Sequence, residues 1–401
     1  MKNLRGYLTA AIFAGITYVL SQYGQKFSAL VDMVYPYVIR TLEQSLAQWS
    51  SQADFLIWQL LAVALLVIVV AALVVVIITK KNLFQWFGWV LAAGSFVFML
   101  HTMIYGMNYY AGSLSEDMRM QVGGSTLDEI VEATEYYQRQ ANAMADQVSR
   151  DAYGDAVFED FDILASRAGS GFQYLTYNRS YPVFAGSTLP VKKLGWADMY
   201  TSMGITGFTF PLTGEAAVNP QIPDVVLPFT MCHEMAHRMC IASEQDANFA
   251  AFLAYSFNAN RQFQYSAYFM AYRYCYNALV SVGKSTSIDP QLVMEAASEA
   301  TRINNNVSAN LRHDLEQYDD FFSSHRDAFA TNIADTINDA YLKASGETAG
   351  IASYGQVCDL LVNWHIQEIV LPSITVEESL FDPYDETQVD LTGIVNAREQ
   401  Y

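Results

Sequence analysis

Hydrophobic and polar positions are unevenly spread along the 401-residue chain. From Leu56 to Thr79 there is no charge and no proline, and apolar residues cover every face of a helix. About 20 such residues at 1.5 Å rise cross a hydrocarbon core, so a membrane-spanning helix is expected over about 56–79. Lys80 and Lys81 make a polar turn. A second run from Leu83 to Tyr105, with Trp86 and Trp89 near one end as interfacial anchors, predicts another span over 83–105. His101 falls inside it and is read as a histidine near the headgroups. A shorter apolar stretch, Tyr7–Leu20, follows Lys2 and Arg5, which is also how a signal peptide begins. No small-x-small cleavage site follows, so the stretch is read as a retained first span over about 7–22.

Positive charge favours the cytoplasm. That places the N-terminus and the Lys80–Lys81 turn inside, and everything from residue 106 onward outside the cell membrane. Residues 24–54 then form an external, partly helical loop. The expected organisation is a multi-pass anchor over 1–110 followed by one domain over 111–401.

In that second part the pattern is mainly α, with one short β region. Apolar residues recur at helical spacing from about Ser113 to Ala168, with Leu127, Ile130, Val131 and Tyr136 among them. Tyr181–Phe184 reads as extended, and Gly204–Pro211 as a strand with glycine breaks. Helices are expected again over Ala250–Leu279, Pro290–Asn304, Ser308–His325 and Ala328–Ala344, and a loop over Gly346–Gly355.

Charge separates the two parts. Lys2, Arg5, Lys26, Arg40, Lys80 and Lys81 face only Asp32, Glu43 and Asp54 in residues 1–105, a balance of +3. The whole chain stands at −19, so the remainder carries −22. So acidic a domain argues against nucleic-acid binding, and its apolar content argues against disorder.

The candidate chemistry lies in His233-Glu234-Met235-Ala236-His237. On a helix, residues four apart share a face, so both imidazoles can reach one Zn²⁺ while Glu234 sits beside the attacking water as general base. The apolar neighbours Leu227, Phe229, Met231, Met239 and Ile241 suggest a buried helix, where two unliganded histidines would be costly. A third ligand is needed. If the helix runs on, Glu244 shares the histidine face; if it breaks near Cys240 and restarts at Ser243, Asp246 takes the capping-box position and can turn back toward the metal.

With its surroundings the pentad resembles a known family. Thr213-Gly214-Glu215-Ala216-Ala217-Val218-Asn219, Leu227-Pro228-Phe229-Thr230, the pentad, and Asp246-Ala247-Asn248-Phe249 are similar to the bacterial membrane-anchored proteins called domain of unknown function 3810. The likeness extends to Gly106–Tyr110, Leu114-Ser115-Glu116, Asn338–Lys343 and Ser353-Tyr354-Gly355. It implies a zinc metallopeptidase of the gluzincin type with a zincin-like domain. The family usually has Glu before Ala-Asn-Phe, so the resemblance makes Asp246 the third ligand here, one methylene shorter. It also implies that the segment Gly204–Asn219 is an edge strand able to pair with an extended peptide.

Other roles are less specific. Tyr354 is a candidate oxyanion stabiliser. Glu215 and Asn219 could shape the cleft or cap a turn. His313, His325 and His365 read as surface or core histidines. Cys232, Cys240, Cys275 and Cys358 read as buried thiols and not as metal ligands.

The expected function is a membrane-anchored zinc metalloendopeptidase acting on peptide or protein substrates, with the lipid bilayer as its other partner. A catalytically inactive zinc-binding receptor or scaffold at the cell surface is the alternative.

Overall fold

A computed structural model of the protein describes residues 2–186, 188–285, 289–325, 327, 331–332, 336 and 357–372. Near its start lie α1 (Arg5–Tyr23), α4 (Ile57–Ile78) and α5 (Leu83–Ile104). Among the described residues two helices, α4 and α5, are long and apolar enough to cross a membrane. At 22 residues each they reach about 33 Å, the thickness of a hydrocarbon core. The connection between them turns at Lys80, whose φ of 49° is left-handed. The Asn82 side chain then caps α5 by accepting from the backbone N–H of Phe84 and Gln85.

Helix α1 packs along α5. A Cβ on Gly6 would lie 2.5 Å from the Gly88 carbonyl carbon, so glycine lets the two backbones touch. The Tyr7 ring stacks on Phe84 beside this crossing, 4.4 Å between centroids.

The stretch after α1 is helical almost throughout: α2 (Ser28–Val34), a π-helical turn (Tyr35–Ile39) and α3 (Arg40–Ser50). Glu43, Ala47 and Ser50 recur at helical spacing and are buried. They face the rest of the protein, since a Cβ on Gly214 would meet Ala47 N and Glu43 O, both at 2.5 Å. The boundary at residue 110 is therefore one of sequence more than of space.

Beyond α5 the expected helical stretch 113–168 resolves into α6 (Leu114–Asp117), α7 (Leu127–Ala145) and α8 (Phe161–Tyr177). Ser113 with Glu116 and Thr126 with Glu129 form capping boxes that start α6 and α7. An isolated bridge pairs Arg150 with Ala156 before α8. Of the stretch Tyr181–Phe184, expected to be extended, only Tyr181 is so. Pro182 presets the backbone for a 3-10 turn over Pro182–Phe184, and Val183 and Phe184 are buried by it.

The β region is a three-stranded sheet in the order β1 (Lys192–Lys193), β3 (Glu215–Val218), β2 (Gly207–Phe210), with the short helix α9 (Ala197–Ser202) between β1 and β2. β1 runs parallel to β3, and β2 runs antiparallel to it with Gly207 opposite Val218 and Phe210 opposite Glu215. All four residues of β3 are buried.

Helices complete the fold: α10 (Leu227–Arg238), α11 (Glu244–Ser256), α12 (Arg261–Gly283), α13 (Pro290–Asn305), α14 (Ala309–Ser324) and α15 (Val357–His365). The helix expected over Ala250–Leu279 is two. Asn258 Oδ1 accepts from Asn260 N, and Asn260 caps α12 through Gln262 N, which breaks the run at 257–260. Of Ala328–Ala344 only residues 331–332 and 336 are described, and Gly346–Gly355 lies outside the described residues. Helices α10, α11 and α12 lie at the centre, where Phe249, Tyr255, Phe263 and Phe269 are fully buried. Truncating one such ring to alanine costs about 3–5 kcal/mol.

Candidate metal centre

Helix α10 opens with Pro228, which lacks the N–H that a first turn leaves unbonded anyway. Phe229 N donates to Ser266 Oγ at 3.1 Å and Thr230 Oγ1 to Val226 O at 3.0 Å, so its start is tied to α12 and to itself. One turn separates His233 from His237. Their rings meet edge-on with centroids 4.5 Å apart, and their Nε2 atoms are 3.0 Å apart.

The helix ends in a Schellman motif. Cys240 N donates to His237 O at 2.9 Å and Ile241 N to Ala236 O at 3.1 Å. Cys240 takes the left-handed position with φ 68°, where glycine is usual. Its thiol lies 3.6 Å from the carboxylate of the buried Glu43 on α3.

The turn reverses the chain, and α11 begins at Glu244 after Ser243. The first residue of α11 therefore reaches back to α10. Glu244 Oε2 lies 3.3 Å from His233 Nε2, and Oε1 3.7 Å from His237 Nε2. One ligand atom from each of His233, His237 and Glu244 lies within 4.8 Å of the others. Two imidazole nitrogens and a carboxylate oxygen, converging at the end of a buried helix, are a donor set that could hold a metal ion.

Asp246 is placed elsewhere. The break near Cys240 occurs as expected, but Asp246 is two residues beyond Glu244 and so about 200° further round the helix. Its Oδ2 accepts from Leu114 N at 3.2 Å. No side-chain bond caps α11, so the expected capping box is not formed. Asp246 also borders a cavity of about 310 Å³ shared with Asp32, Arg40, Asn108 and Glu116, which none of the three clustered residues lines. Both sequence alternatives linked ligand choice to helix continuity. The structure separates the two: the helix breaks, and Glu244 is the residue brought to the histidines.

His237 Nδ1 faces two oxygens, Ile241 O at 2.8 Å and the Tyr105 hydroxyl at 3.0 Å. A carbonyl can only accept, so Nδ1 carries the proton and Nε2 presents its lone pair to the cluster. Burial, followed by the neighbouring His233, lowers the His237 pKa to about 4. Burial also pushes His233 down, but the hydrogen bond and charge of Glu244 outweigh it and leave that imidazole raised.

Glu234 lies between the helix and the sheet. Thr209 Oγ1 on β2 donates to its Oε2 at 2.7 Å and approaches its backbone O at 2.9 Å. A Cβ on Gly207 would sit 2.4 Å from Glu234 Oε1, so only glycine leaves room for the carboxylate. Burial raises its pKa to about 7, against the lowering influence of His233 and Thr209. A carboxyl tuned near neutrality and coupled to the neighbouring His233 can take up and release a proton.

The remaining sequence candidates have other partners. Tyr354 lies outside the described residues. Glu215 accepts from Ile57 N and Trp58 N, both at 2.9 Å, and from Lys192 Nζ at 2.7 Å, so it caps α4. Asn219 donates to Thr201 Oγ1 and Ile205 O and accepts from Gln221 N, which fixes the turn around β3. His313 pairs with Asp155, His325 stacks on Phe321, and His365 is buried against Tyr136. The four cysteines are free thiols; Cys232, Cys275 and Cys358 are buried and Cys240 is partly exposed.

Tyr105, Gly207 and Thr209 escape a reading of the sequence. The glycine breaks around 204–207 are its only trace of the close approach, and nothing marks Tyr105 beyond its place at the end of an apolar run.

The model of the family described as "Protein of unknown function (DUF3810)" matches residues 31–362. No curated protein and no solved structure matches the chain.

Proposed function

The chain belongs to the DUF3810 family, and from that footing we propose that it is a membrane-anchored, zinc-dependent metallopeptidase with a zincin-like site, hydrolysing peptide bonds of protein or peptide substrates. The convergence of His233, His237 and Glu244, with the Glu234 carboxylate close enough to feel the charge of His233 and Glu244, carries this reading. His233 and His237 would offer Nε2 and Glu244 a carboxylate oxygen, the two-histidine, one-carboxylate set that leaves a fourth position open. A bound zinc supplies Lewis acidity and makes a water acidic enough to attack near neutral pH.

The rest of the work falls to the chain itself. Glu234 takes the proton from the attacking water and passes it to the leaving amine, with Thr209 fixing which oxygen is free to do so. Ile241 O and Tyr105 hold the His237 ring so that Nε2 stays unprotonated. The edge strand β2, next to Glu234, is placed to align an extended backbone. Two apolar helices support membrane anchorage; the multi-pass, extracytoplasmic arrangement rests on the distribution of Lys2, Arg5, Lys80 and Lys81.

Glu234→Gln tests the mechanism. The variant should keep stoichiometric zinc and lose hydrolysis; turnover equal to the parent's would refute the role of Glu234.

A further inference from the structure

Strand β2 touches different things on its two faces. Gly207 and Thr209 lie against Glu234, with Thr209 Oγ1 2.7 Å from its carboxylate. Phe208 and Phe210 lie against Trp58, with ring centroids 5.4 and 5.5 Å away. Trp58 belongs to the first turn of α4, one of the two helices able to cross a membrane. A single strand therefore separates the proton-carrying carboxylate from the first turn of a span.

The other span arrives at the same place. Tyr105 ends α5, and its hydroxyl lies 3.0 Å from His237 Nδ1. The start of α4 and the end of α5 lie at one membrane face, as a helical hairpin requires, and both touch the site. No stalk intervenes, because the N–H groups of Ile57 and Trp58 are bonded to Glu215 in β3. The surface beside the first turn of α4 is apolar as well: Gln59 bonds Gly195 O, the neighbouring Trp196 is 52% exposed, and Phe208 is 41% exposed. Exposed aromatic rings at this level suit the headgroup zone.

We propose that the substrates are polypeptides held at the bilayer, cut within the first few residues beyond their own membrane anchor. This rests on the metallopeptidase reading and adds the substrate class to it. A segment pairing with β2 would lie about 5 Å from that strand, whose Phe208 and Phe210 rings already touch Trp58 in the first turn of the span. A chain tethered to the same membrane presents its first residues at that height.

The test uses the full chain in phosphatidylcholine–phosphatidylglycerol vesicles, with pools of polypeptides anchored by a transmembrane helix. Each carries a randomised octapeptide either about 5 or about 40 residues from the bilayer, since about 5 extended residues reach about 17 Å. Cutting at the near position should exceed that at the far one at least tenfold. Equal cutting, or preference for the far position, would overturn the proposal while leaving the peptidase reading intact. No cutting beyond that of Glu234→Gln at either position would overturn both.

A second readout needs no turnover. With Cu²⁺ as the metal, the distance to spin-labelled lipid headgroups should be within about 20 Å. Relaxation of the labels no greater than in His233→Ala would overturn the membrane-proximal placement.

Discussion

The Tyr105 hydroxyl lies 3.0 Å from His237 Nδ1, joining the residue that follows an apolar helix to a histidine of the group that could hold a metal ion. A second partner on the far nitrogen of a ligand histidine fixes its ring and tautomer, and its loss typically costs 10–100-fold in metal affinity. Ile241 O remains in Tyr105→Phe, so the lower end applies. Zinc affinity should fall about tenfold with helical content unchanged, as read by competition with a chromogenic chelator.

Glu244 and Asp246 should part company on substitution. Glu244→Gln should weaken zinc by more than about 100-fold, beyond the loss of an outer partner. Asp246→Ala should keep stoichiometric zinc but leave Leu114 N without its carboxylate, costing about 1–3 kcal/mol of stability. Thermal melts with and without zinc separate the two effects, because only a protein that binds the metal gains stability from it. Zinc lost in Asp246→Ala and kept in Glu244→Gln would reverse the assignment.

Thr209→Val keeps the shape of the side chain and removes the hydroxyl that holds Glu234. One hydrogen bond is worth about 1–1.5 kcal/mol, so kcat should fall roughly tenfold. Zinc content should not change. Gly207→Ala presses on the same carboxylate from the other oxygen and should lower kcat further, again with zinc retained. Assays of metal content beside turnover distinguish this from loss of the site.

Glu215 binds Lys192 with its own side chain fully buried and that of Lys192 13% exposed. Removing one partner of a buried pair leaves the other charge uncompensated, at about 3–5 kcal/mol. Glu215→Ala should be destabilised by this amount in chemical denaturation, whereas Glu215→Gln, whose single amide oxygen can still accept from one of Ile57 N and Trp58 N, should lose less.

Much of the centre is legible in the sequence because it depends on local geometry. Residues four apart on one helix must share a face, so His233 and His237 follow from spacing alone. The third carboxylate does not. Its identity depends on how a non-glycine residue, Cys240, turns the chain through a left-handed conformation, and on which side of the next helix then faces back. The extended reading of Tyr181–Phe184 missed for a related reason: the fixed φ of Pro182 suits a tight turn as well as an extended chain, and here it starts the 3-10 turn that buries Val183 and Phe184. Glu215 shows the limit of proximity along the chain, since its partners Ile57 and Trp58 lie 158 and 157 residues away.

The packing of Glu43 has a practical consequence. It comes from the segment between the first two apolar helices, is fully buried, and sits against the thiol of Cys240 three residues past His237. A fragment begun at residue 106 would strip away Glu43, Trp58 and Tyr105 together. It would expose Phe208 and Phe210, leave Lys192 and Glu215 short of partners, and loosen the turn that delivers Glu244. The cluster of His233, His237 and Glu244 is thus to be tested in the full chain, and a result from such a fragment would not carry over to it.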